Sequence, residues 1–215
     1  MGECCYVCGH FWAADDPFLA AFSAQGVAED FPQGVFLQRQ GNCPSRVFLL
    51  LEGCVETCVL LEDGRRRAYL LHAGRVALGL AGLDKNNTSS GVSIRCLTPV
   101  RALWADSRQV LGWPPELLLP LAMCQTQKMQ IVYRQLRERS FLSAEEQLLR
   151  ILEEIASSGM LEQCRNVRLP SAFLAELLGL SRPHLGTVLA RVSSGRLSEG
   201  QRAALAMVGE AARNG

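Results

Sequence analysis

Residues 170–192 read Pro-Ser-Ala-Phe-Leu-Ala-Glu-Leu-Leu-Gly-Leu-Ser-Arg-Pro-His-Leu-Gly-Thr-Val-Leu-Ala-Arg-Val, and this stretch decides the fold. Leu174, Leu177 and Leu178 make one apolar helical stripe, and Leu185, Val188, Leu189 and Val192 make a second. Between them Gly179 can take the positive φ that ends a helix, and Ser181 can cap the next one. Pro183 is tolerated in a first helical turn, where a missing N–H loses no partner. Ala175 is small at the point where two helices must cross closely. Two short helices about a glycine turn have the spacing of a helix-turn-helix, whose second helix lies in the DNA major groove. An ordinary helical hairpin meets the same pattern.

Upstream, Gly34, Gly41, Gly53, Gly64, Gly74 and Gly79 punctuate short runs rich in Val, Leu and Phe. Val47–Leu51, Val55–Leu61 and Ala68–Leu71 read as strands, and Glu62-Asp63-Gly64 as a hairpin turn. Regular strands of this length predict a small all-β barrel or roll. Residues 115–139 then read as one long helix with Pro114 and Pro115 at its start; Pro120 either kinks it or moves its start. Leu118, Ala122, Gln125, Met129, Val132 and Leu136 step by four and three residues. That near-heptad seam suits a two-stranded coiled coil with Gln125 as a polar register device, or a helix laid on its own roll. Residues 137–143 form the hinge, and Ser143 with Glu146 make a capping box for a helix Ala144–Ser157.

The order roll, long helix, helix-turn-helix resembles the Crp–Fnr family of bacterial transcription regulators. The matching segments are Phe31-Pro-Gln-Gly34, Arg39-Gln-Gly41, 47–53, Leu61-Glu-Asp-Gly-Arg65 and the helix-turn-helix, within roughly residues 28–197. The resemblance implies an α+β fold: a β-roll (double-stranded β-helix) sensor domain, a long dimerisation helix, and a C-terminal degenerate winged helix-turn-helix. It places a Cys-rich segment and helix at 1–30, the effector-sensing roll at 31–114, the dimerisation helix at 115–142 and the DNA-binding domain at 143–215. Its implied partners are promoter DNA, a small-molecule effector, a second copy of the chain as a homodimer, and RNA polymerase. A redox, iron–sulfur or haem-dependent gas sensor of the same fold is an alternative, as is a ligand-binding protein that has lost DNA binding.

Composition agrees with a cytoplasmic protein that is no enzyme. The 215 residues are 48% hydrophobic, yet no apolar run nears the length of a membrane span. The first residues lack the basic and apolar regions of a signal peptide, and Tyr6 spoils the myristoylation pattern begun by Met1-Gly2. Net charge is only +1, but from Met160 onward seven arginines face four glutamates. No nucleophile elbow, phosphate loop, dinucleotide fingerprint or paired-His motif occurs.

On the second helix Ser181, Arg182 and His184 point away from the Leu185 stripe, followed by Thr187 and Arg191. Arg182 matches a position where many relatives carry a DNA-contacting Arg, and Arg pairs bidentately with guanine. Many relatives place a Glu and a second Arg where this chain has Pro183 and Thr187, so their half-site is not expected here. Ser171 opens the preceding helix as a phosphate contact. After the second helix, Ser193–Gly200 leads straight into an Ala-rich helix Gln201–Arg213, which leaves the family's hairpin wing short or missing.

Cyclic-nucleotide binders of the family hold ribose with a Gly-Glu pair and phosphate with an Arg-Ser/Thr pair. Here those positions read Gly79-Leu80 and Ser89-Ser90-Gly91, so cyclic AMP is not the expected effector. Arg95 reads as an exposed or salt-bridged residue of a strand Val92–Leu97. Leu78, Gly79, Leu80, Leu83, Asn86 and Asn87 would line the remaining pocket together with the long helix. Of the 22 basic residues only Lys85 and Lys128 are lysine. The segment 128–135 resembles the matching helix of the halorespiration regulators, which bind chlorinated phenols. Lys128 either faces the pocket and pairs with a phenolate or carboxylate, or is a solvated helix residue.

Cys4, Cys5 and Cys8, with His10 behind them, have metal or redox spacing. The oxygen-sensing branch of the family holds an iron–sulfur cluster with N-terminal cysteines and one from the roll. Here the three are crowded, and the roll position falls near Ala102, six residues from Cys96. His10 and His72 are haem options, although His72 also reads as the cap of a strand before Ala73-Gly74. Cys43, Cys54, Cys58, Cys96, Cys124 and Cys164 read as small hydrophobes.

Overall fold

A computed structural model describes the backbone of residues 7–8 and all of 12–84, 86, 89–157, 161 and 169–209. Strand β1 (Val7–Cys8) and helix α1 (Pro17–Gln25) precede β2 (Val27–Phe31), β3 (Phe36–Gln38), β4 (Arg46–Glu52), β5 (Cys54–Leu60), β6 (Arg66–Ala73) and β7 (Val76–Leu78). A single 3₁₀ turn, Leu80–Leu83, leads to β8 (Ser93–Cys96) and β9 (Val100–Asp106). The strands form two sheets, ordered β1-β6-β5-β8-β3 and β2-β9-β4-β7, antiparallel except where β1 joins β6. Val47, Leu49 and Leu50 of β4 and Val55 of β5 are buried, as the sequence reading expects of roll strands. Gly53 turns β4 into β5 at φ +89°, and a Cβ there would lie 2.3 Å from the Pro99 carbonyl. Both backbone strain and space therefore demand glycine. Between the sheets sit Phe48, Leu50, Val55, Leu70, Ile94 and Leu103, and Trp12, Phe18, Phe22 and Trp113 seal one end of this core. Strand β2 straddles the boundary drawn at residue 30.

Helix α2 (Ser107–Leu111) turns the chain into α3 (Pro115–Phe141), which runs two residues past the expected end. Pro120 lies inside α3 and does not shift its start. Leu121, Cys124, Lys128, Ile131, Gln135 and Glu138 make its buried face, one residue ahead of the expected seam at most turns. Apolar members fill the roll core, while Lys128 Nζ donates to the Ala77 carbonyl and Gln135 Nε2 to that of Tyr69. A polar group that must be buried keeps its place by finding a backbone partner.

After Leu142, α4 (Ala144–Ser157) begins at the expected capping box: Ser143 N–H donates to Glu146 Oε2 at 2.7 Å, and Glu146 N–H to Ser143 Oγ at 3.3 Å. Strand β10 (Leu169–Pro170) leads into α5 (Ser171–Leu178), α6 (Arg182–Ser194), α7 (Glu199–Ala206) and β11 (Val208–Gly209). The expected helix over 201–213 is therefore corrected. Helix α7 starts at Glu199 because Ser198 and Gln201 form a reciprocal cap, and ends at Ala206, where β11 pairs in parallel with β10. Ala204 is buried in the cluster that includes α4, so a helix stands where relatives' wing would follow α6. That cluster also holds Phe173, Leu174, Leu177, Leu185 and Val188, and continues into Cys54, Leu71 and Ala73 of the roll. Among the described residues no helix is long and apolar enough to cross a membrane.

Candidate DNA-reading helix and effector cavity

Helix α5 ends in a complete Schellman motif. Leu180 N–H donates to the Ala175 carbonyl at 2.8 Å and Gly179 N–H to that of Glu176 at 3.2 Å, with Gly179 at φ +71°. Ser181 Oγ then accepts from His184 N–H at 3.3 Å and starts α6, with Pro183 in the first turn. Leu185, Val188 and Val192 anchor α6 in the core, and Ala175 is buried where the helices cross. Ser181, Arg182, His184, Thr187 and Arg191, the five expected residues, are all solvent-exposed on α6 or at its cap. Besides the Ser181 cap, two carry local ties: Thr187 Oγ1 donates to the Pro183 carbonyl, and Arg191 Nη1 meets Glu145 Oε1 of α4 at 2.8 Å. The Arg191 pair is exposed, so phosphate can displace the carboxylate at little cost. Ser171 is half-buried in the first turn of α5, behind the Pro170 cap.

A second site lies between the roll and α3. A cavity of about 180 Å³ is lined by Gln38, Thr57, Leu70, His72, Leu78, Gly79, Leu80, Val92 and Ile94, and by Gln125, Lys128, Met129 and Val132 of α3. Its polar groups are few: Gln38, His72 and Lys128 are buried, Thr57 is half-buried and Gln125 is exposed. Lys128 is 8% exposed, which corrects the solvated-lysine alternative. Thr57 Oγ1 lies 2.8 Å from His72 Nε2, while His72 Nδ1 and Gln38 Oε1 have no hydrogen-bond partner among the described residues. No carboxylate stands among the described lining residues to balance Lys128. Buried polar atoms seek partners, and water or a polar ligand can supply them here.

No family model and no curated protein matches the sequence. Solved structures do match. The c-di-GMP responsive global regulator CLP of Xanthomonas campestris is 18% identical, with 83% of this chain and 91% of that one covered at a TM-score of 0.70. A transcriptional regulator of the CRP/FNR family from Thermus thermophilus is 20% identical over 81% and 91%, at 0.67. CprK in complex with OCPA is 18% identical over 82% of each chain, at 0.58. The chain has the Crp–Fnr fold.

Within this Crp–Fnr fold, several expected site residues move. Leu78, Gly79, Leu80 and Lys128 do line the cavity. Leu83 does not: it packs against the roll core from the 3₁₀ turn. Asn86 is exposed, with its N–H held by Asp84 Oδ1, and Asn87 lies outside the described residues. His72, expected as a strand cap, is instead a buried wall of the cavity, because residues alternate sides along β6. Gln38, Thr57 and His72 escape sequence reasoning as cavity residues, since the two-sheet closure that gathers them leaves no local signal. Arg95 is salt-bridged as expected, to Glu56 at 2.6 Å.

Of the expected seam, Ala122, Gln125, Met129 and Leu136 are exposed, whereas Leu118 and Val132 are half-buried against the roll core. Gln125, Met129 and Val132 also border the cavity, so seam and cavity share a wall. Among the cysteines, Cys54, Cys58, Cys96 and Cys124 are buried; Cys43 is exposed, contrary to its reading as filler, and Cys164 lies outside the described residues. Burial pushes the Cys58 and Cys96 thiols up to about 11, which suits unreactive thiols. Cys4, Cys5, His10 and the Cys8 side chain also lie outside the described residues; the Cys8 backbone pairs with His72.

Burial, then the nearby Lys128 charge, holds His72 well below the usual imidazole range. An unfolded chain takes up this proton near pH 6.5 while the folded one does not, so stability falls as pH drops below that value. The expected slope from this group is up to about 1.4 kcal/mol per pH unit. Comparing chemical denaturation of wild type and His72→Gln between pH 7 and 5 isolates it. Parallel curves would show that His72 is protonated alike in both states.

Proposed function

We propose that this chain is a DNA-binding transcription regulator of the Crp–Fnr type, acting as a homodimer in the bacterial cytoplasm. The observation that carries the reading is a capped helix-turn-helix with exposed reading residues, in one chain with a sensor roll whose cavity is closed by a long helix. The division into 1–30, 31–114, 115–142 and 143–215 follows from it, with promoter DNA and RNA polymerase as partners. Arg182 and His184 read bases, and Ser171, Ser181, Thr187 and Arg191 hold the backbone. Two copies pair along Gln125, Met129, Val132 and Leu136, with Leu118 at the upper end, which brings two reading helices to half-sites one DNA turn apart. Selection of bound fragments from a random DNA library tests this directly. An enriched inverted repeat supports the regulator; no enrichment, with or without candidate ligands, leaves a ligand-binding protein without DNA function.

The effector is a compact organic monoanion. The cavity is close in size to an engineered cavity of about 150 Å³ that admits benzene, so a single ring fits. Lys128 supplies a positive charge that no carboxylate among the described lining residues balances, and neutral His72, Thr57 and Gln38 supply hydrogen bonds. A panel of one-ring carboxylates and phenolates is expected to raise the melting temperature of wild type but not of Lys128→Met. Equal stabilisation of both proteins would remove Lys128 from the site.

A further inference from the structure

The helix-turn-helix does not hang free of the sensor. Three arginines from the roll and α3 converge on residues 176–179, the end of α5 and its turn. Arg66 holds Glu176 with two nitrogens, Nε to Oε2 at 2.8 Å and Nη2 to Oε1 at 2.9 Å. Arg139 Nη2 donates to the Leu177 carbonyl at 2.8 Å, and the Arg67 guanidinium lies against Gly179, where a Cβ would come within 2.4 Å of it. Cations suit this place, because a helix C-terminus carries partial negative charge and open carbonyls. Arg66 is itself anchored: its Nη1 meets Glu56 Oε1 at 2.6 Å, and Arg95 Nε meets the same oxygen at 2.6 Å. Glu56 is fully buried, so the cluster has one fixed geometry rather than a solvated choice of partners.

The same two strands build the cavity. On β5, Glu56 serves the cluster and Thr57 the cavity. On β6, Leu71 and Ala73 pack with the helix-turn-helix, while Leu70 and His72 face the cavity. One layer of backbone separates the cavity from the helix-turn-helix, since successive side chains of a strand point to opposite faces. We propose that Arg66, Arg67 and Arg139 form a clasp that positions the helix-turn-helix on its own sensor, and that an occupant of the cavity acts on this clasp through β5 and β6. The coupling rests on the effector reading above; the clasp does not.

Hydrogen exchange on the full-length protein tests both parts, and uses neither DNA nor ligand. Glu176→Arg, which sets like charges against Arg66, is expected to speed exchange of the α5 amides about tenfold or more and to loosen β6, with β4 unchanged. Arg67→Ala and Arg139→Ala leave the helix-turn-helix sequence intact and should loosen the same amides. Unaltered α5 protection in these sensor-side variants would overturn the clasp, whatever Glu176→Arg does. Leu70→Phe grows into the cavity from β6 and stands in for an occupant. It should change α5 exchange by about threefold or more, and the change should vanish in combination with Glu176→Arg. Where Leu70→Phe does not fold, Val132→Phe fills the same cavity from α3. A filled cavity with α5 exchange unmoved would overturn the coupling and leave the clasp as a static joint. A failed DNA selection alters none of these outcomes.

Discussion

The double substitution Met129→Glu, Leu136→Glu is expected to turn dimers into monomers and to abolish tight binding to an inverted-repeat DNA. The exposed side of α3 carries Met129 at 40% exposure, which also reaches the cavity rim, Tyr133 at 56% and Leu136 at 58%. Large apolar side chains in a row along a helix are costly to leave in water, and a second copy of the same helix would bury them symmetrically. Four carboxylates would then oppose one another across the two-fold axis. Leu136 is a cleaner partner for Met129 than Val132, which borders the cavity and is half-buried within the protomer. Because both chosen residues are exposed in one chain, the monomer should keep its fold and melting behaviour. Loss of linkage between two reading heads costs about 10²–10⁴ in affinity. Sedimentation velocity and a gel shift read the two effects; an intact dimer would place the interface elsewhere.

Arg182→Ala is expected to lower affinity for the selected site at least about tenfold while leaving binding to random DNA nearly unchanged. Arg182 is the first residue of α6 and is exposed, whereas Leu185 and Val188 are buried. A bidentate contact to a guanine contributes roughly 1–3 kcal/mol of discrimination. Arg191 is the natural contrast, since its guanidinium is held by Glu145 of α4, away from the reading end. Arg191→Ala should weaken every sequence alike and flatten the salt dependence, as removal of a phosphate contact does. Equal losses on specific and random DNA for Arg182→Ala would reduce it to a backbone contact.

The helix-turn-helix is legible in the sequence because its signals are local. A Schellman glycine, a serine cap and two apolar stripes each act within one or two helical turns, and nothing distant overrides them here. Two roll turns are legible for the same reason: Gly64, in the β5–β6 hairpin, and Gly53, at the corner where the chain passes from one sheet to the other, sit at positive φ where Glu-Asp-Gly and Leu-Glu-Gly announce turns. The C-terminal helix is overextended past Ala206 by sequence reasoning, because an Ala-rich composition favours helix in isolation. Tertiary pairing of β11 with β10 prevails there.

Residue order alone thus determined the succession of roll, long helix and helix-turn-helix, the capped second helix of that motif, and the exposure of Ser181, Arg182, His184, Thr187 and Arg191 on it. Tertiary structure alone decided which face of α3 meets the roll. Faces one residue apart carry the same heptad step, and only the shape and carbonyls of the facing sheet choose between them. It likewise decided that Lys128 and His72 share a cavity wall and that Arg66 reaches Glu176 across 110 residues. Such groupings arise from the closure of two sheets and the docking of one domain on another. Their energy lies in desolvation and charge pairing between distant segments, to which no short stretch of sequence gives a pattern.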